Sequence, residues 1–208
     1  MPDKKLKITQ SLLSSWQWIA KSDAKYADKA YRDFIKTLNR VPSAPNKFMQ
    51  AGIDFENRVA EYANGTDIPE THEWAGGVKK IGSLLEGARF QVDAYKELTV
   101  DGTAFLLHGR LDALKAETIY DIKFTAGSYK PGHFLRGTQH AFYLEIVPEA
   151  DRFIYLVSDG SEVYFEKYDR GSSPPIENAI REFISFLKMA DLYEIYAAKW
   201  TRETTDRI

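Results

Sequence analysis

The sequence predicts a mixed α/β fold: helices open the chain, a largely antiparallel group of strands interrupted by one helix fills its middle, and a helix closes it. Three observations carry that expectation. Apolar residues recur at helical spacing up to about residue 64, switch to strand-like alternation from about residue 90, and return to helical spacing after residue 172. With 208 residues, 44% of them hydrophobic and 28% charged, the chain is long enough to bury a real core, and it reads as one domain over residues 1–208.

Residues 9–20, TQSLLSSWQWIA, suit a first helix with Thr9 or Ser11 near its cap. A second is expected over 21–40, with Ala27, Tyr31, Phe34, Ile35 and Leu38 as its apolar stripe and Lys21, Lys25, Lys29, Arg32, Lys36 and Arg40 on another face. The proline-marked loop VPSAPNK (41–47) leads to a third, about 47–64, closed by Gly65 and turning Phe55, Val59 and Tyr62 inward. A short helical stretch follows at 78–86. Strands are expected at 90–100, 104–114, 118–124, 152–158 and 163–168, with turn signals at Asp101-Gly102 and Asp159-Gly160. Between the third and fourth, a helix over 138–147 is stopped by Pro148. Ser172 or Ser173 caps a last helix, within 172–200, that opens at Pro174-Pro175 and buries Ile176, Ile180, Phe183, Leu187 and Leu192.

Composition excludes several classes. The absence of cysteine rules out disulfides, zinc–thiolate sites and cysteine-bound iron–sulfur clusters, and a reducing, cytoplasmic setting fits. The opening MPDKKLKITQ lacks a signal-peptide core, and no run approaches the ~18 apolar residues of a membrane span, so no membrane partner is expected. The net charge of −2 is uneven: residues 1–50, a basic helical extension, hold ten Lys or Arg against four Asp, a surplus of +6 that leaves −8 for the rest. That polarity reads either as a basic docking surface beside an acidic site or as a solvated lysine-rich helix face.

The stretch GRLDALKAETIYDIKF (109–124) sets Asp112 and Asp121 inside two apolar runs. With Ala116-Glu117 as a two-residue turn, Asp112 faces Asp121 at about 4.5–5.5 Å between Cβ atoms. Lys123 shares that face, Arg110 lies opposite Lys123, and Leu114 with Ile119 continues the face into the core. Leu111, Ala113, Tyr120, Ile122 and Phe124 line the other. Opposed like charges in a partly buried sheet are destabilising. Either a divalent cation lies between them or Lys123 and Arg110 neutralise them as a structural ion-pair cluster.

An acidic residue on one strand followed by D-x-K on the next (Asp121-Ile122-Lys123) resembles the core motif of the PD-(D/E)XK nuclease superfamily. Upstream, Gly52-Ile-Asp-Phe-Glu56 is similar to the G-x-x-x-E of the first helix in phage lambda-type exonucleases. Downstream, Gln139-His140-Ala-Phe-Tyr143 is similar to a Q-h-x-x-Y motif of RecB-like nucleases, and ITQSLLSSW to the serine-containing start of that group. The resemblance implies a restriction-endonuclease-like α-β-β-β-α-β core, a central mixed sheet flanked by helices. It further implies that Asp112, Asp121 and the Ile122 carbonyl ligate Mg²⁺ or Mn²⁺, that Glu56 completes the site directly, through water or at a second metal, and that Lys123 orients or helps deprotonate the attacking water. Gln139 and Tyr143 would help hold the lysine or the nucleic-acid backbone.

The implied activity is a metal-dependent deoxyribonuclease, an exonuclease acting at DNA ends in recombination or repair, of phage or prophage origin. Lys21, Lys25, Lys29, Arg32, Lys36, Arg110 and Arg136 are candidates for contacting single- or double-stranded DNA. A single-strand annealing or recombination protein and a second copy of the chain are further candidate partners. The competing reading is a non-catalytic nucleic-acid-binding module on the same fold. His108, His133 and His140 could meet phosphate or make structural hydrogen bonds, and with His72 they lack zinc-ligand spacing. Trp16 and Trp18 could stack bases or fill the core.

Overall fold

Among the described residues, one mixed sheet of seven strands runs through the molecule. The computed structural model describes residues 4–203; Asp3 and the two ends of the expected 1–208 domain lie outside them. The elements are β1 (Lys4–Thr9), α1 (Gln10–Lys21), α2 (Ala27–Leu38), α3 (Lys47–Ala63), α4 (Ala75–Leu84), β2 (Arg89–Val100), β3 (Thr103–Lys115), β4 (Thr118–Phe124), α5 (Gln139–Ile146), β5 (Arg152–Ser158), β6 (Val163–Asp169), α6 (Ile176–Met189), α7 (Tyr193–Trp200) and β7 (Thr201–Glu203). The strand order is β6-β5-β4-β3-β1-β7, with β2 also on β3, and helices flank the sheet on both faces. Ile8, Leu12, Phe34, Leu107, Phe142 and Phe183 belong to one core, under α1, α2, α5, α6 and α7, and Phe55, Val59, Val78, Ile122 and Leu156 to the other, under α3 and α4.

The long hairpin β2–β3 is the frame. Asp101 and Gly102 both take positive φ (49° and 76°), the turn geometry that matches strand twist. β2 pairs β3 from Val100–Thr103 to Arg89–Leu114. On the opposite edge of β3, β1 runs parallel to Phe105–His108 and β4 antiparallel to Ala113–Lys115. Two strands therefore share one edge end to end, and Gly109–Asp112 lies between them, where the sheet forks.

Several expectations need correction. The basic N-terminal segment does not begin as a helix: Lys4–Thr9 is a strand, because Leu6 and Ile8 alternate with lysines and β3 offers an open edge. The second helix starts at Ala27, not 21, because extended Ser22 ends α1, its hydroxyl donating to the Trp18 carbonyl (2.6 Å). Its buried stripe is Ala30, Phe34 and Leu38, and Tyr31 faces solvent. The short helix near 78–86 is α4, beginning at Ala75. The last helix is two: Asp191 takes φ 56°, and Leu192 N–H donates to the Leu187 carbonyl (2.8 Å), a left-handed stop that turns α6 into α7. Neither Ser172 nor Ser173 caps α6; its N-cap is Pro175, without a side-chain hydrogen bond. Trp16 packs on Phe183 (5.5 Å between centroids) while Trp18 is exposed.

Candidate active site

At the fork, α3 presents Glu56, β3 presents Asp112, β4 presents Asp121 and Lys123, and α5 presents Gln139 and Tyr143. The turn at Ala116-Glu117 gives the expected register, Lys115↔Thr118, Leu114↔Ile119 and Ala113↔Tyr120. The ladder ends there, one step before Asp112 meets Asp121. Instead, Asp112 Oδ2 accepts the Ile122 N–H (2.8 Å), so a carboxylate takes the place of a strand carbonyl. Arg110 and Lys123 consequently lie beyond the ladder rather than facing each other as a pair.

The faces also differ from simple alternation. Phe105, Leu107 and Leu111 belong to one core, but Ala113 belongs to the other and Leu114 to the first again. On β2, Val92 and Ala94 pack on the first core and Phe90 on the second. Both strands turn over at one rung, where Asp112 stands opposite Gln91, which has φ 53°. Leu111 is thus on the face opposite to the one alternation predicts.

Gln139 and Tyr143 do not hold Lys123. Gln139 Nε2 donates to Asp121 Oδ1 (2.5 Å), and the Tyr143 hydroxyl donates to the Arg110 carbonyl (2.8 Å) on the unpaired edge of β3. Residue 109 must be glycine for that: a Cβ there would lie 2.4 Å from Tyr143 Cε1 and 2.9 Å from Ile146 Cδ1. Gly52, by contrast, has open space around it, so packing does not explain the glycine of the upstream motif. Arg110, Lys123, Gln139 and Tyr143 line a cleft of about 460 Å³ with Thr9, Ser11 and Ser14 from the start of α1.

Asp121 is only 4% exposed, and its Oδ2 is ion-paired with the Lys123 ammonium at 2.5 Å. Burial, then the charge of Asp121, holds the Asp112 carboxyl well above the usual carboxylate range, and burial raises Asp121 and Glu56 as well. Burial alone would lower the Lys123 ammonium, but Asp121 and Asp112 outweigh it and keep Lys123 protonated. Glu56, more than fifty residues upstream, stands in the field of Lys123, Asp121 and Arg110.

Three acidic groups are thus gathered with one ammonium, an excess of negative charge that a hard cation would relieve. Among the described residues no three His, Asp or Glu side chains form a ready-made ion cage. The donor set fits an open, partly hydrated Mg²⁺-type ion on one or two carboxylates better than a closed protein site.

The basic candidates are exposed but partly engaged. Lys29 and Lys36 bracket Asp33, Lys21 donates to the Arg136 carbonyl (3.0 Å), and Arg40 lies over Trp200 (4.6 Å). His140 is buried and stacked on Tyr168 (3.8 Å); His108 stacks on Tyr95 and pairs with Asp93 (3.1 Å); His133 is exposed beside Phe134. Two residues were not anticipated. Gln91 donates to Glu56 Oε1. Glu166 accepts from the hydroxyls of Tyr129 and Tyr168 and from the N–H groups of Gly132 and Phe134, tying down the loop between β4 and α5. Neither carries a sequence signal: each reads as an ordinary polar residue of an alternating strand.

Among the described residues, no helix is long and apolar enough to cross a membrane. No family model and no curated protein matches the chain. Among solved structures, that of LHK-Exo in complex with dAMP superposes with a TM-score of 0.47 at 16% identity, over 93% of this chain and 91% of that one. The crystal structure of SSO0001 superposes with a TM-score of 0.52 at 14% identity, over 91% of this chain and 79% of that one, which makes it a likeness of fold.

Proposed function

We propose that the chain is a divalent-metal-dependent nuclease of the PD-(D/E)XK type that hydrolyses phosphodiester bonds in DNA. One observation carries the reading: Asp121, buried and ion-paired through Oδ2 to a protonated Lys123, shares the sheet fork with Asp112 and Glu56. The order α3, β2, β3, β4, α5, β5 supports the α-β-β-β-α-β core, with α4 inserted after the first helix.

Asp112 and Asp121 would hold Mg²⁺ or Mn²⁺, with the Ile122 carbonyl and Glu56 as further donors. Such an ion, when held there, would supply Lewis acidity toward a phosphate oxygen and lower the pKa of water. Lys123, kept cationic by its neighbours, orients the attacking water and stabilises charge building on the phosphoryl oxygens. Gln139 fixes Asp121, and Tyr143 fixes the unpaired edge of β3 from which Arg110 and Asp112 project. Lys21, Lys25, Lys29, Arg32, Lys36, Arg110 and Arg136 supply phosphate contacts. Action at DNA ends, a role in recombination or repair and a phage source rest on the motif resemblance alone.

The test is cleavage of end-labelled single- and double-stranded DNA with Mg²⁺, Mn²⁺ or EDTA, beside Asp121→Ala and Lys123→Ala. Metal-dependent cleavage, lost in both variants, is expected. Cleavage in EDTA, or full activity in the variants, refutes the mechanism; binding without cleavage in either metal leaves a nucleic-acid-binding module.

A further inference from the structure

Gln91, the third residue of β2, is an odd residue to find inside a strand. Its φ of 53° lies in the left-handed region that side chains with a Cβ avoid. It stands on the rung opposite Asp112, since Phe90 pairs with Ala113 and Val92 with Leu111. From there its amide donates to Glu56 Oε1, across from β2 to α3. Gln91 is exposed, so burial does not hold it in this conformation. A hydrogen bond from an exposed amide to a half-buried carboxylate contributes modestly to stability, yet here it accompanies backbone strain, the combination found where geometry serves a site.

We infer that Gln91 is a positioning residue: its amide fixes the rotation of the Glu56 carboxylate, so that Glu56 meets the Asp112–Asp121 pair in one orientation. The inference rests on the metal-dependent reading and adds to it the residue that orients the acid from α3. Glutamate has three free side-chain torsions, and a carboxylate on an unanchored stem would lose entropy on engaging a cation. A neutral donor suits the task. An acid at position 91 would repel Glu56, whereas a lysine would place a competing cation beside it. The left-handed kink performs the second half of the same job, because it turns β2 over at the rung where β3 delivers Asp112.

The experiment is Mn²⁺ titration into metal-free protein without DNA, read by the electron paramagnetic resonance of free Mn²⁺, with thermal melts of the same samples. The variants are Gln91→Gly, Gln91→Ala and Asp121→Asn. Glycine accepts the positive φ without strain, so Gln91→Gly should melt at or above the wild-type temperature while its Mn²⁺ dissociation constant rises about tenfold, the usual effect of losing an outer partner of a ligand. Gln91→Ala should bind Mn²⁺ as weakly and melt lower. Wild-type Mn²⁺ affinity in Gln91→Gly overturns the inference alone, provided Asp121→Asn abolishes binding. Weakened binding accompanied by a lower melting temperature in Gln91→Gly makes the residue structural and also overturns it. If the wild-type protein binds no Mn²⁺ that Asp121→Asn removes, the inference and the metal-dependent reading fall together.

Discussion

Asp112→Asn should make the metal-free protein more stable while abolishing cleavage. Asparagine keeps the shape of the side chain, and its carbonyl can still accept the Ile122 N–H that Asp112 Oδ2 accepts now. What it removes is one charge beside Asp121. At the roughly 5 Å typical of facing side chains on adjacent strands, with an effective dielectric of about 20, two like unit charges repel by on the order of 3 kcal/mol. Lys123, 2.5 Å from Asp121, cancels part of that, leaving a gain of about 1–2 kcal/mol, or about 2–8 °C in Tm for a chain of this size. The sign with pH follows from the raised carboxyl of Asp112. A group whose pKa is raised on folding contributes its stability below its unfolded value, about 3.9, and loses it as pH rises through the folded value. The advantage of asparagine should therefore be absent at pH 3.5 and grow as the pH rises toward 8. Thermal melts followed by circular dichroism in EDTA at both pH values read this directly. Added Mg²⁺ should then raise the wild-type Tm and leave the variant unmoved. A variant that melts below wild type in EDTA at pH 8, or that gains equally at pH 3.5, would refute the electrostatic account of the site.

Gly109→Ala should destabilise by about 1–3 kcal/mol through overpacking against Tyr143 and Ile146; urea midpoints should fall, and adding Tyr143→Ala should cost less than the sum of the two single changes. His140, 1% exposed and with its pKa lowered by burial to about 4, must stay neutral in the folded state. A depressed folded value gives stability that is present above about pH 6.5 and is lost as pH falls toward 4. His140→Phe should flatten that limb of the stability curve by up to about 3 kcal/mol, and an unchanged acid limb in denaturant titrations would exclude His140 as its cause.

The hairpin was legible because its signals are local. Apolar alternation over 104–114 and 118–124 and a two-residue connection fix three rungs of register, Lys115–Thr118 to Ala113–Tyr120. β1 was not legible, because Lys4–Thr9 is too short and too lysine-rich to declare itself; it is a strand only because β3 has an open edge at Phe105–His108. The break between α6 and α7 depends on Asp191 in a left-handed conformation, which no residue type other than glycine announces. Gln91 hides in the same way, and with it the turnover that moves Leu111 and Ala113 to different faces.

These hidden features converge on one place. Without β1, the edge of β3 beyond Ala113 would be a sheet margin; with it, Gly109–Asp112 becomes a gap between two paired segments. Such a gap leaves strand groups in need of partners, and the chain supplies side chains: Tyr143 donates to the Arg110 carbonyl and Asp112 accepts the Ile122 N–H. The two aspartates sit among apolar strands because this is where the ladder stops and a carboxylate can replace a backbone acceptor. The same interruption opens a cleft over buried charge. Closing the fork by extending the β3–β4 ladder would give each strand group a backbone partner and remove the space in which the acids meet.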